Sequence, residues 1–168
     1  GADPTTYANL KLSGSGTKTL GLNTTVNGTL TRAGTASLGL GAFVLTYGSS
    51  TVLEYAGSAA QITADTEFPA SGGPNSLTIN NVAGVSLNGS RTVNGTLTLT
   101  SGRLSLGNNT LTLGASATVG GTPDASKMVV TDVDGSQTGK LCKVWGSGAF
   151  TYPIGDNRGT AEYSPVTF

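Results

Sequence analysis

Apolar and hydroxyl-bearing residues alternate with a period of two over much of this chain. Thr96-Leu97-Thr98-Leu99-Thr100 and Thr110-Leu111-Thr112-Leu113 put Leu on one face and Thr on the other. Leu104-Ser-Leu106 and Val52-Leu53-Glu54-Tyr55 behave alike. Between such runs stand Gly107-Asn-Asn109, Gly120-Gly121 and Ser71-Gly-Gly-Pro74, which carry turn chemistry. No stretch shows the i, i+3, i+4, i+7 spacing of an amphipathic helix. The pattern predicts an all-β chain with short strands near 9–12, 18–22, 25–31, 37–40, 43–47, 51–55, 61–63, 77–79, 85–87, 92–99, 103–106, 110–113, 117–119, 127–131, 140–145, 149–152 and 163–167.

The alternation repeats itself at long range. Leu10-Lys-Leu12 matches Leu77-Thr-Ile79, and Leu20 matches Leu87. Thr25-Val-Asn-Gly-Thr-Leu-Thr31 is identical to Thr92-Val-Asn-Gly-Thr-Leu-Thr98, an offset of 67. Leu38-Gly-Leu40-Gly41 then matches Leu104-Ser-Leu106-Gly107 at 66, as Leu45-Thr-Tyr47-Gly48 matches Leu111-Thr-Leu113-Gly114. One residue less in a turn explains the slip. The organisation expected is one β-solenoid domain over 5–168, built from two homologous units, about 7–57 and 74–121, and a C-terminal segment, 122–168. Residues 1–4 read as a cloning remnant, and the start at Thr5 as that of an excised fragment.

Two architectures give alternation and turns. A β-sandwich of antiparallel strands needs no internal repeat. A β-solenoid does, because each coil buries its inward side chains against the coils above and below. The expectation is therefore a right-handed parallel β-helix with three strands and about 20–27 residues per coil, two to three coils per unit, and a β-sandwich is the alternative. Asn27-Gly28 and Asn94-Gly95 would form bends within coils, since each sits inside an alternating stretch. No helical cap is visible at either end.

The run Tyr7-Ala-Asn-Leu-Lys-Leu-Ser-Gly-Ser-Gly-Thr-Lys-Thr-Leu20 with Thr25-Val-Asn-Gly-Thr-Leu30 resembles a repeat of very large surface proteins of Bacteroidetes-type bacteria. So do Glu67-Phe-Pro-Ala-Ser-Gly-Gly-Pro-Asn-Ser-Leu-Thr-Ile-Asn-Asn81 and the stretch from Arg91 to Leu113. Tyr152-Pro-Ile-Gly-Asp156 and Tyr163-Ser-Pro-Val-Thr-Phe168 resemble the segment that ends such arrays before a following domain. The resemblance implies a secreted or cell-surface location, often with export through a C-terminal sorting domain. It also implies an adhesive, adhesin-like or stalk-like role beside neighbouring domains of a parent chain. It brings no catalytic residues.

Composition narrows the chemistry. The 168 residues include 26 Gly, 27 Thr, 17 Ser and 11 Asn, with nine charges of each sign and no His. Without imidazole there is no Ser-His-Asp triad and no histidine metal site. The single Cys142 allows no intrachain disulfide and no cysteine zinc site, and reads as a small buried hydrophobe. Zero net charge gives no footprint for nucleic acid. No apolar run is long enough to span a membrane as a helix. The Gly-rich stretches lack the Gly-Lys-Ser/Thr of a phosphate loop, so no cofactor is expected.

Glycoside hydrolysis needs two carboxylates across a sugar site. Asp65 with Glu67, and Asp132 with Asp134, are each two apart, but both pairs lie beside turn residues and read as solvated turn carboxylates. Asp132-Val-Asp134-Gly135-Ser136 has the start of a calcium loop, yet the twelfth position is Lys143, which leaves at most weak surface calcium. Thr rows such as Thr17-x-Thr19 could order water or ice, but Thr is also the ordinary uncharged residue of an exposed strand. Three aromatics, Trp145, Tyr152 and Tyr163, are candidates for stacking on a polysaccharide, while Tyr47 aligns with Leu113 and reads as core. Parity with Leu141 points Trp145 inward. The functional expectation is a non-catalytic structural or adhesive segment; the alternative is a carbohydrate-binding module of a polysaccharide-degrading protein.

Overall fold

A computed structural model describes residues 5–168; the reading of 1–4 as a cloning remnant lies outside them. The described residues form strands and turns without a helix, stacked as a parallel β-solenoid of about seven turns. Each full coil contributes strands to three faces. Face A stacks β1 (Thr5–Leu12), β3 (Thr24–Ala33), β6 (Val52–Ala56), β8 (Ser76–Asn80), β11 (Thr96–Ser101) and β14 (Thr118–Gly121). Face C holds β2 (Thr17–Thr19) and β4 (Ser37–Gly39), then β7 (Gln61–Ile62), β9 (Val85–Ser86), β12 (Leu104–Ser105), β15 (Val129–Asp132) and β18 (Ile154–Asp156). Face B holds the first residues of β1 and β3 with β5 (Leu45–Tyr47), then β10 (Arg91–Val93), β13 (Thr110–Leu113) and β16 (Lys140–Lys143). Each of these ladders is parallel, which rules out a sandwich of antiparallel hairpins.

Identical side chains meet because the register is locked by the period-two pattern. On face A, Leu10, Leu30, Leu53, Leu77, Leu97 and Val119 form one inward row. Its steps are 20, 23, 24, 20 and 22 residues. The first three carry Leu10 to Leu77, so the offset of 67 is three coils. Leu30, Leu53, Leu77 and Leu97 are fully buried. Truncating any of these four to Ala would cost about 2–5 kcal/mol through lost transfer energy and the cavity left behind. The outward neighbours Thr31, Glu54, Thr78 and Thr98 form the matching outer row.

Asn and Gly set the corners. Tyr7 pairs with Val26 and Asn9 with Thr29, so Asn27 and Gly28 bulge opposite Ala8 alone. The equivalent Asn94-Gly95 breaks the chain between β10 and β11, where the sequence pattern predicts one strand over 92–99. Asn side chains also satisfy the next coil. Asn9 Oδ1 accepts the Thr29 N–H at 2.8 Å, Asn23 Oδ1 that of Val44 at 3.0 Å, and Asn108 Oδ1 that of Thr138 at 3.0 Å. Most other strands lie within a few residues of their expected positions. β18 was not expected, because Pro153 and Gly155 interrupt its pattern.

Among the described residues the last strand of face C is covered by chain reversal and not by a helix. β19 (Glu162–Tyr163) runs antiparallel on β18, and β20 (Val166–Thr167) runs antiparallel on β17 (Thr151–Tyr152). Phe150 and Phe168 exchange backbone hydrogen bonds of 2.8 and 3.1 Å. These strands replace an open parallel edge with paired backbone.

Candidate functional site

Two places concentrate chemistry: a buried polar cluster where the two repeat units meet, and a groove beside Trp145. The first arises from a departure in the repeat. The seven-residue identity ends at Thr31 and Thr98, and the next residues are Arg32 and Leu99. Arg32 therefore lies in an inward row, between Leu12 and Tyr55, followed by Ile79 and Leu99. Its guanidinium donates to Glu67 Oε1 at 2.5 Å, with side-chain exposures of 8% and 0%. Glu67 Oε1 also accepts from the Tyr55 hydroxyl at 2.9 Å and the Ala64 N–H at 2.9 Å, while Oε2 accepts from Thr66 at 2.9 Å. The Tyr47 hydroxyl donates to the Glu67 carbonyl at 2.5 Å.

The cluster replaces missing strands. Face B has no strand between β5 and β10; the chain there makes a tight turn, with the Phe68 N–H bonded to the Ala64 carbonyl at 2.8 Å. Face C has no ladder between β4 and β7. Arg32 spans that second gap by donating to the Ala36 carbonyl at 3.0 and 3.2 Å and to the Ile62 carbonyl at 3.0 Å. Gln61 Nε2 bonds the Arg32 and Gly34 carbonyls at 3.1 and 3.2 Å, and its Oε1 accepts from Asn81 at 2.8 Å. Every polar atom of Glu67 is thus occupied from within. Burial first, and the Glu67 charge second, push both the Tyr55 and Tyr47 hydroxyls well above the usual tyrosine range.

Glu67 corrects the expectation of a solvated turn carboxylate. The turn that carries it folds inward into the interrupted face, whereas Asp65 stays at the surface. Asp65 binds the buried Arg91 and accepts from Asn88 at 2.9 Å. Asn88 first, and then the Arg91 charge, lower its carboxyl below the usual range. The two carboxylates do not share a face and cannot flank a sugar. Asp132 closes its own turn, Oδ1 accepting from the N–H groups of Asp134 at 3.1 Å and Gly135 at 2.7 Å. Partial burial raises its carboxyl, and backbone hydrogen bonds led by Gly135 outweigh this and lower it. Asp134 Oδ1 is taken by Ser136. Calcium would have to displace these bonds. Among the described residues no three Asp, Glu, Cys or His cluster to hold a metal.

The groove lies where face A ends. After β16 the chain should supply a further face A strand over Trp145–Phe150, but those residues do not pair with β14. The space between is a groove of about 440 Å³, bounded by Ala115–Val119 on one side and by Trp145–Thr151 on the other. Trp145 is 54% exposed. The inward parity expected for it fails because β16 stops at Lys143. Lys143, in register with Leu113, turns its ammonium onto the carbonyls of Gly114, Ala115 and Val144 at 2.7, 2.7 and 3.0 Å. Cys142 pairs with Thr112 on the outer row and is exposed, correcting its reading as buried.

The three stacking candidates do not converge. Tyr152 packs edge-on against Phe150 and Phe168, with centroids 4.9 and 6.0 Å away, inside the cap. Tyr163 sits on β19 near Asp124, and desolvation first, then the Asp124 charge, raises its hydroxyl. Only Trp145 faces the groove, with Phe150 beside it. The chain matches no protein-family model, no curated protein and no solved structure.

Proposed function

We propose that this chain is a non-catalytic structural or adhesive segment of a large secreted or cell-surface bacterial protein. The observation that carries the reading is the uninterrupted row from Leu10 to Val119, which makes a rigid stack out of a repeated sequence. The four carboxylates that the sequence pairs two apart support it, because their oxygens are taken up in holding the fold. Glu67 is saturated inside, Asp65 is held by Asn88 and Arg91, and Asp132 and Asp134 are tied into turns. The test is location and attachment. Antibody against this chain should label intact cells of the source bacterium or their culture medium, and deleting the segment should reduce adhesion. Label released only by lysis would overturn the reading.

A second reading, a carbohydrate-binding module, is favoured by the exposed indole of Trp145 on the groove wall. Pull-down on insoluble polysaccharides checks it. Retention that Trp145→Ala abolishes supports this reading, and retention unchanged by that substitution removes Trp145 as the platform.

A further inference from the structure

The repeat identifies what is missing from the groove. Leu53 and Val119 share one inward row and are equivalent at the offset of 66, so β14 is the second unit's copy of β6. The corners before them are the same: the Thr51 N–H bonds the Gly48 carbonyl at 3.2 Å, and the Ala117 N–H bonds the Gly114 carbonyl at 3.0 Å. In the first unit β8 then lies on β6, with the Ser76 N–H on the Thr51 carbonyl at 3.0 Å. In the second unit, among the described residues, no strand pairs with the open side of β14, the last strand of its sheet.

The backbone of β14 is therefore half used. In a parallel ladder alternate residues direct both their N–H and C=O to the same side. The Thr118 N–H bonds Gly95 on the β11 side at 3.0 Å. Val119 accordingly directs its N–H and C=O to the open side, together with the Ala117 carbonyl, into the groove beside Trp145 and Phe150. The groove offers little else to recognise. Among the described residues Lys143 is its one charged lining side chain, and three carbonyls already hold that ammonium.

We propose that this groove is a strand-acceptor site, binding an extended polypeptide in the manner of β8, with backbone bonds to Val119 and apolar side chains against Val119 and Trp145. A free row of alternating donors and acceptors is matched by a peptide backbone. Carboxylate and amide side chains, which take sugar hydroxyls in pairs, do not line the groove among the described residues, so its backbone row is the stronger feature. The inference does not depend on where the parent protein resides.

The test uses the 168-residue chain and an acetylated, amidated peptide of its own sequence from Pro74 to Val82. Trp145 is the single tryptophan, so its fluorescence reports the groove. The expected result is a saturable change, weakened about tenfold or more by N-methylation of the peptide's Thr78 amide, which faces the acceptor. Val119→Pro removes the groove-facing N–H without touching the β11 ladder and should weaken binding as much, with circular dichroism checking its fold. If that variant does not fold, the methylated peptide still decides. Absence of a saturable change up to about 1 mM peptide overturns the proposal. So does equal binding of the methylated peptide, or a response to cellohexaose or xylohexaose with none to the peptide.

Discussion

Arg32 and Leu99 occupy equivalent inward positions 67 residues apart, yet one is a buried cation bound to Glu67 and the other is plain core. The contrast shows how the repeat is joined. Where strands follow one another in register, Leu suffices; where two faces lose a strand, a side-chain network stands in for the ladder.

Breaking that pair should be expensive. Arg32→Leu leaves Glu67 charged and buried with only neutral donors, and a loss of about 3–5 kcal/mol in unfolding free energy is expected. Arg32→Leu combined with Glu67→Gln should recover part of it, because no unpaired charge remains. Urea denaturation of both variants measures this; equal stability of Arg32→Leu and the parent would mean the pair is dispensable.

Stability should fall at both ends of the pH scale. Asp124 is held down to about 2, chiefly by the Ser126 hydroxyl, and Asp65, Asp132 and Asp134 are also lowered. Such groups contribute stability that is complete above the ordinary carboxylate value of about 4 and is lost as pH falls towards 2. Tyr47 and Tyr55 are raised, so their contribution is complete below about pH 10 and is lost above it. Urea midpoints across pH, with the ultraviolet signal of tyrosinate, check both limbs. The two buried tyrosines should ionise only as the fold is lost.

Cys142 should react with a disulfide reagent in native buffer, one thiol per chain, because it projects from the outer row of face B. Cys142→Ser should change stability by no more than about 0.5 kcal/mol. Labelling that requires denaturant would place the side chain inside after all.

Gly102 has φ of +76°, and a Cβ there would enter the Asn81 carbonyl. Gly102→Ala is expected to cost about 2 kcal/mol or more. Gly159→Ala has open space around its Cβ and carries only the backbone strain of its positive φ. Comparing the two melting curves separates crowding from conformation.

The Leu rows, the Asn-Gly corners and most strands were legible because period-two alternation fixes which side chains face inward and the repeat fixes what they stack upon. Glu67 was not legible from its turn-like surroundings, which point to solvent. A signal did exist: the identity of the two units ends at Arg32, where a charge replaces a core Leu, and a buried cation requires a partner. Trp145 and Cys142 were misplaced for the opposite reason. Parity was carried past the end of β16 for the first, and hydrophobic character outweighed register for the second. The groove is a strand that does not form, and no pattern in residues 145–150 announces it.

The three-coil repeat makes length a quantised property. Leu77 sits on Leu53 in the row that Leu10 begins, so a unit ends on a surface that the next can continue. Duplicating one unit of 66 or 67 residues upstream of the closing segment would lengthen the rod by three strand spacings, about 14 Å. Neither terminus would need to be redesigned. The protein's reach would then change in fixed steps set by the coils and not residue by residue.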